Sequence, residues 1–427
     1  MVLRSIKVDQ GTITYQDRRT GLTIDIRNFQ LDMTSGPPSI LTLRSPTCRI
    51  TYGRRAIESK VRLQAILDDP VRIQLMEWMS DGLTLSMKNQ VLNTKALAFD
   101  VDGRLDAAKF LQATGIRSLV DAQVDFTADF DLPARRMRVT AHSNRLRTAS
   151  IQMDDINGEC AIAADGTSDA HITTRIAGGR AGLQMATDHG KTRADIQLEQ
   201  VDPRQLPPVS KRLPITPATT ISGKVRLDWR GLLQPVDLRG HTELVLNSSH
   251  AAKGEMPLTG QFSADYEKGA LQIRPSRVHV GSAAAVDFEG SLAPKAIDLQ
   301  FSAGVVEIKQ FLKDTIGDRI ALPEKLSGTA SLVGRLSGDG SSLAARFESP
   351  LIHLGGKEIS NISSSIDVAG RTIEISDFQC RTLGGTLSGH GSIREKDYSA
   401  YLRGESLHLS TLSPIFTEGI IEPVGTT

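Results

Sequence analysis

Apolar residues recur at every second position through most of the chain, and this period constrains the fold more than any other feature. Gly11-Thr-Ile-Thr-Tyr-Gln puts Ile13 and Tyr15 on one side of an extended strand, and Leu22-Thr-Ile-Asp-Ile-Arg does the same with Ile24 and Ile26. Leu83-Thr-Leu-Ser-Met-Lys repeats it with Leu83 and Leu85, as do the pairs Ile196 and Leu198, Val225 and Leu227, Leu271 and Ile273, and Ile373 and Ile375. Successive side chains of a strand point to opposite faces, so each strand gains one apolar and one wet side. Gly, Asp, Ser and Pro punctuate the pattern about every eight to twelve residues. A parallel sheet would read as continuous apolar runs, so the alternation predicts an antiparallel sheet.

Three stretches break the alternation and predict short helices. Glu307–Arg319 places Ile308, Phe311, Leu312 and Ile316 on one helical stripe. Asp106–Leu119 opens on Asp106 as N-cap, and Asp202-Pro203 opens a third helix that Pro207-Pro208 keeps short or broken. These helices mark an internal repeat. Leu105-Asp-Ala-Ala-Lys-Phe-Leu aligns with Val201-Asp-Pro-Arg-Gln-Leu-Pro, with Val306-Glu-Ile-Lys-Gln-Phe-Leu and with Leu407-His-Leu-Ser-Thr-Leu-Ser, at spacings of 96, 105 and 101 residues. Ile221-Ser-Gly-Lys-Val-Arg-Leu and Leu326-Ser-Gly-Thr-Ala-Ser-Leu then follow the second and third helices. The expected organisation is an N-terminal β region (1–104) followed by repeat units at 105–200, 201–305 and 306–406. A further unit begins at 407–427, where the sequence reads as cut mid-unit.

Composition narrows the function. With 50 Lys+Arg against 49 Asp+Glu the net charge is +1, which excludes a polybasic nucleic-acid binder. A hydrophobic content of 39% supports packed structure, but aromatics supply only 4%, so the apolar load falls on Val, Ile, Leu and Ala. No apolar run approaches the roughly 18 residues of a membrane span, and Met1 leads directly into a charged, alternating strand, so neither a span nor a signal peptide is read here. Cys48, Cys160 and Cys380 are scattered and odd in number, which predicts buried or half-buried small hydrophobes instead of a disulfide framework or a zinc site.

No catalytic motif stands out: there is no H-E-x-x-H, G-x-S-x-G, phosphate-binding loop or G-x-G-x-x-G. The nine histidines stand singly, Asp68-Asp69 and Asp154-Asp155 read as turns, and Trp78 and Trp229 read as packing residues. No catalytic residue, cofactor or metal ligand is expected. What remains is a long sheet with one apolar face that must be buried by closure, by a partner sheet or by an apolar ligand. Its aliphatic, often small side chains leave room for something slender, such as an acyl chain.

Ile6-Lys-Val-Asp-Gln-Gly-Thr-Ile-Thr-Tyr and Gly21-Leu-Thr-Ile-Asp-Ile-Arg-Asn-Phe-Gln-Leu resemble the start of an AsmA-like periplasmic domain. Ile221-Ser-Gly-Lys-Val-Arg-Leu-Asp-Trp-Arg-Gly and Leu326-Ser-Gly-Thr-Ala-Ser-Leu-Val-Gly-Arg-Leu are similar to repeats of the AsmA-like and TamB family of Gram-negative bacteria. Residues 41–100 match least. The resemblance implies an all-β fold with short helices, an elongated, mostly antiparallel sheet curled into an open hydrophobic groove. It implies a periplasmic protein anchored in the inner membrane through a segment outside this sequence, conducting phospholipids by their acyl chains toward the outer membrane. It also implies an outer-membrane partner of the Omp85 class, engaged through regions outside this sequence, with no nucleic acid. The alternative is a structural or chaperone scaffold for outer-membrane β-barrel assembly, presenting strand edges. The fourteen alternating residues from Ile13 to Ile375 named at the outset are the expected lining of the lipid groove.

Overall fold

The computed structural model describes residues 4–17, 22–52, 55–92, 98–115, 120–131, 133–148, 151–206, 216–231, 237–251, 255–293, 296–305, 307–316, 325–339, 342–370, 372–394 and 397–407. The chain divides into two compact units, Met1–Val201 with Gln205–Pro208, and Asp202–Arg204 with Val209–Thr427.

The first unit is an antiparallel meander in which each strand pairs with the next in sequence. Its strands are β1 (Ser5–Asp17), β2 (Leu22–Thr34), β3 (Ile40–Tyr52), β4 (Arg55–Ile66), β5 (Val71–Ser80), β6 (Leu83–Leu92) and β7 (Ala98–Asp106). Helix α1 (Ala107–Ala113) follows, then β8 (Asp121–Asp131), β9 (Arg136–Arg147), β10 (Gln152–Ile162), β11 (Ser168–Ile176), β12 (Gly179–Asp188) and β13 (Lys191–Val201).

The second unit repeats the plan. It runs through β14 (Thr216–Arg230), β15 (Arg239–Ser248), β16 (Glu255–Glu267), β17 (Ala270–Val280), β18 (Ala284–Ala293) and β19 (Ala296–Val305) to helix α2 (Ile308–Ile316). After α2 come β20 (Leu326–Gly328), β21 (Ala330–Gly338), β22 (Ser342–Leu354), β23 (Lys357–Ala369), β24 (Thr372–Thr382), β25 (Gly385–Arg394) and β26 (Asp397–Glu405). Only Thr329 separates β20 from β21, and both pair with β22. Among the described residues a parallel contact joins Thr216–Ala218 to Glu255–Pro257. The protein is therefore all-β with short helices, built on long antiparallel sheet that does not close into a barrel.

Helix starts follow the capping residues. Asp106 caps α1, its Oδ1 accepting the Lys109 N–H at 3.1 Å, and this hydrogen bond holds its carboxyl below the usual range. Gly115, in the left-handed region at φ 73°, follows the helix end; residues 116–119 lie outside the described set. Glu307 caps α2 similarly, accepting the Lys309 N–H at 3.1 Å. The third expected helix is only a 3₁₀ turn, Pro203–Gln205, with Asp202 accepting the Arg204 N–H at 2.9 Å. Pro207 and Pro208, like the rest of the repeat begun at Leu407, lie outside the described residues. Among the described residues six strands separate α1 from the 3₁₀ turn and six separate that turn from α2. In a meander an even number of strands returns the chain to the end it left. In the first unit, α1 and the end of β13 therefore share one end of the strands; in the second, so do the start of β14 and α2.

Single-residue bulges interrupt many strands. Gln10, Asp155, Asn361 and Asp377 take φ of 62°, 52°, 52° and 51° where the register of β1, β10, β23 and β24 shifts. Asn and Asp tolerate the left-handed region best, and a bulge bends its strand and adds twist. Asp154-Asp155 is thus a bulge inside β10, not the turn its composition suggested. Sequence alternation hides this because the extra residue offsets the period by one.

Candidate functional site

Register places the alternating apolar residues into rows that cross the strands. In the first unit Val61, Trp78, Leu85, Gly103, Phe126, Ala141, Gly158, Ile172, Leu183 and Ile196 stand opposite one another from β4 to β13. In the second, Val225, Thr242, Ala264, Ile273, Gly290, Leu299, Leu336, Leu343, Val368, Ile373 and Ile393 form a row from β14 to β25. Beside it run Leu227, Gly240, Tyr266, Leu271, Leu292, Ile297 and Gly338. Ile375 belongs to a third row with Ile366, Ala345, Gly334, Phe301 and Phe288.

The fourteen expected lining residues therefore share apolar faces, but they do not converge on one cavity. Leu85 and Ile196 stand in one row, and Val225, Ile273 and Ile373 in another. Leu83 faces Leu105, and Leu198 faces Ala181. Ile13 faces Ile26 and Tyr15 faces Ile24. Ile13 and Tyr15, on β1, remain 45% and 55% exposed, whereas Ile273 is buried and the others half-buried.

The aromatics are few, and several are kept out of the way. A Cβ on Gly103 would overlap the ring of Phe126, and one on Gly11 would overlap Phe29. Phe99 stacks on Phe130 with centroids 5.0 Å apart. These four rings lie over glycine backbone or over one another, while Trp78 and Tyr266 stand within the rows themselves. Ala65, Ile73, Met87 and Val101 form a buried cluster in the first unit, and Met256, Val280 and Ala284 one in the second.

Buried hydroxyls do not offer this face any hydrogen bonds. Ser45 donates to the Arg27 and Thr47 carbonyls (3.0 and 2.9 Å), Ser143 to those of Gln123 and Arg145 (2.6 and 3.0 Å), and Ser349 to that of Thr329 (2.6 Å). Among the described residues no buried side-chain polar atom lacks a partner. The buried part of this face therefore offers a ligand shape and hydrocarbon.

The opposite face is a lattice of charge. Arg277 forks onto Asp287 (2.6 and 2.8 Å) and Arg335 onto Asp298 (2.7 Å twice), each pairing neighbouring strands and holding its carboxylate below the usual range. His241 on β15 lies between two carboxylates, Asp265 at 2.8 Å and Glu243 at 3.2 Å, which raise its pKa in that order; Arg274 grips Asp265 from β17 at 2.6 Å. His142 is raised likewise by the side chains of Asn157 and Asn144. Desolvation first and a hydrogen bond to Asp100 second raise Asp129. Shallow depressions on this face, one lined by Asp102, Asp125, His142, Asn157 and His171, were not anticipated from the sequence. The signal was present in the wet positions of the alternation, where Arg, Asp and His recur, but their partners depend on register.

Among the described residues no group of His, Cys, Asp or Glu could hold a metal ion, and no helix is long and apolar enough to cross a membrane. Cys48 and Cys380 are buried, Cys160 is half-buried, and all three are free; burial pushes the Cys380 thiol up. Neither a protein-family model nor a curated protein sequence matches this chain.

Proposed function

We propose that the apolar faces bind the hydrocarbon chains of amphiphilic lipids and let them move from strand to strand. The observation that carries this reading is the crossing of apolar rows over ten strands in the first unit and, broken only at Thr242, over eleven in the second, with every buried hydroxyl among the described residues already partnered by protein. Such a face must be covered, and hydrocarbon suits it, since each methylene removed from water contributes about 0.8 kcal/mol. A row of similar aliphatic contacts gives similar affinity at each step, so a chain can shift sideways without a deep trap. The charged face meanwhile stays in water.

The motif resemblance given above extends this proposal to a role like that of the AsmA-like and TamB proteins. The lipids are then phospholipids in the periplasm, moving between inner and outer membranes in an inner-membrane-anchored protein with an Omp85-class partner. Catalysis has no part in this mechanism. Mass spectrometry of lipids extracted from the purified chain tests it: phospholipid bound in at least stoichiometric amount is expected, and lipid-free protein overturns it.

A second reading, a scaffold for β-barrel assembly, draws on the exposed apolar side chains of β1 and β26, where Tyr15 and Leu402 are 55% and 59% exposed. It predicts crosslinks from these edges to unfolded barrel proteins instead of lipid on the face.

A further inference from the structure

The two ends of the strands in the second unit are not equivalent. At the end that carries α2, Phe311 packs against the cluster of Met256, Val280 and Ala284, with Leu258, Val286 and Val305 around it. At the opposite end, where β16 turns into β17 and β18 into β19 (the hairpin end), Leu227, Tyr266, Leu271, Leu292 and Ile297 are all only half-buried. Nothing helical stands over this row among the described residues. Among the described residues, α2 therefore stands over the β16 and β20 part of one end of the face, and no described helix stands over the other end.

We propose that α2 closes its end of the face, so that a bound amphiphile lies along the strands with its hydrocarbon tail toward α2 and its polar group at the hairpin end. This deepens, and rests on, the lipid-binding reading above. The dimensions permit it: a strand of ten residues runs about 33 Å, longer than an eighteen-carbon chain. The residues that Phe311 packs against beneath α2 are all apolar, so a polar head placed there would be buried without a hydrogen-bond partner. Sideways movement across strands then carries the head along the hairpin end, in water, throughout.

Trp229 provides the probe. It is half-buried near the hairpin end of β14, two residues beyond Leu227 and in the same alternation, and the chain has one other tryptophan, Trp78. In the full chain carrying Trp78→Phe, stearate with a nitroxide near its carboxylate should quench Trp229 at least about twofold more than stearate with the nitroxide near its methyl end. Equal quenching, or stronger quenching by the tail-labelled probe, with radiolabelled stearate still retained, overturns the orientation and leaves lipid binding standing. No retention of stearate overturns both. Phe311→Ala should speed stearate release several-fold, and an unchanged release rate overturns closure by α2.

Discussion

Phe126 on β8 fills the space into which a side chain at Gly103 on β7 would project, and the two are directly paired in register. The ring covers exposed glycine backbone, and the glycine lets the ring lie low. Gly103→Val should expel the ring and destabilise the first unit by about 1–3 kcal/mol. The measurement is urea unfolding of the variant against the parent chain. Adding Phe126→Ala to Gly103→Val should recover part of that loss, because the clash is removed. If the double variant is as unstable as the sum of the singles, the pair is not coupled.

Charge on the apolar face should block it. Leu85→Arg in the first unit, or Ile375→Arg in the second, places an unpaired cation among half-buried aliphatic side chains. Lipid co-purifying with the chain should fall by at least about half, given how unfavourably a charge sits against hydrocarbon. Arg introduced at Met79, exposed on the opposite face, serves as the control and should leave lipid content unchanged. Equal lipid in all three variants would rule against conduction over this face.

Buried serine hydroxyls at the bends should matter more than their size suggests. Ser349 is 2% exposed and donates to the Thr329 carbonyl, the single residue between β20 and β21. Ser349→Ala should cost about 1–2 kcal/mol, the penalty for a buried carbonyl left without a donor. Exposed Ser342, at the start of β22, should tolerate the same change within about 0.5 kcal/mol. Differential denaturation of the two variants decides the matter.

The His241 bridge makes a small part of the stability depend on pH. Asp265 and Glu243 raise its folded pKa above the unfolded value of about 6.5. Its contribution is therefore complete below about pH 6.5 and is lost as pH rises through the raised folded value. The side chain is 35% exposed, so solvent screens the pair and the loss should amount to a few tenths of a kcal/mol. His241→Gln should flatten that portion of the stability–pH curve. An identical slope in the variant would assign the dependence to other groups.

Much of this architecture is legible in the sequence because it depends on local periods. The alternation at Leu83-Thr-Leu and Ile373-Glu-Ile marks strand and face together, and Asp106 marks the start of α1. What is not legible depends on register or on single-residue insertions. Nothing local distinguishes Asp155 at a bulge from an aspartate in a turn, so the bend in β10 is visible only once β9 and β11 are paired to it. The same limit hides the cross-strand rows: Leu85 and Ile196 read alike, but their membership of one row follows from seven successive pairings. The chain of Glu243, His241, Asp265 and Arg274 likewise spans three strands and appears only when they align.

The even count of strands between helical connections bears on how such a chain can change length over time. Duplicating or deleting six strands leaves the next helical connection at its original end. An odd change would keep the apolar residues facing the same way while moving every later helix to the opposite end, so that roof and opening trade places along the sheet. Gene duplication acting on this chain is therefore filtered by parity as well as by sequence, and insertions surviving among its relatives should add strands in pairs.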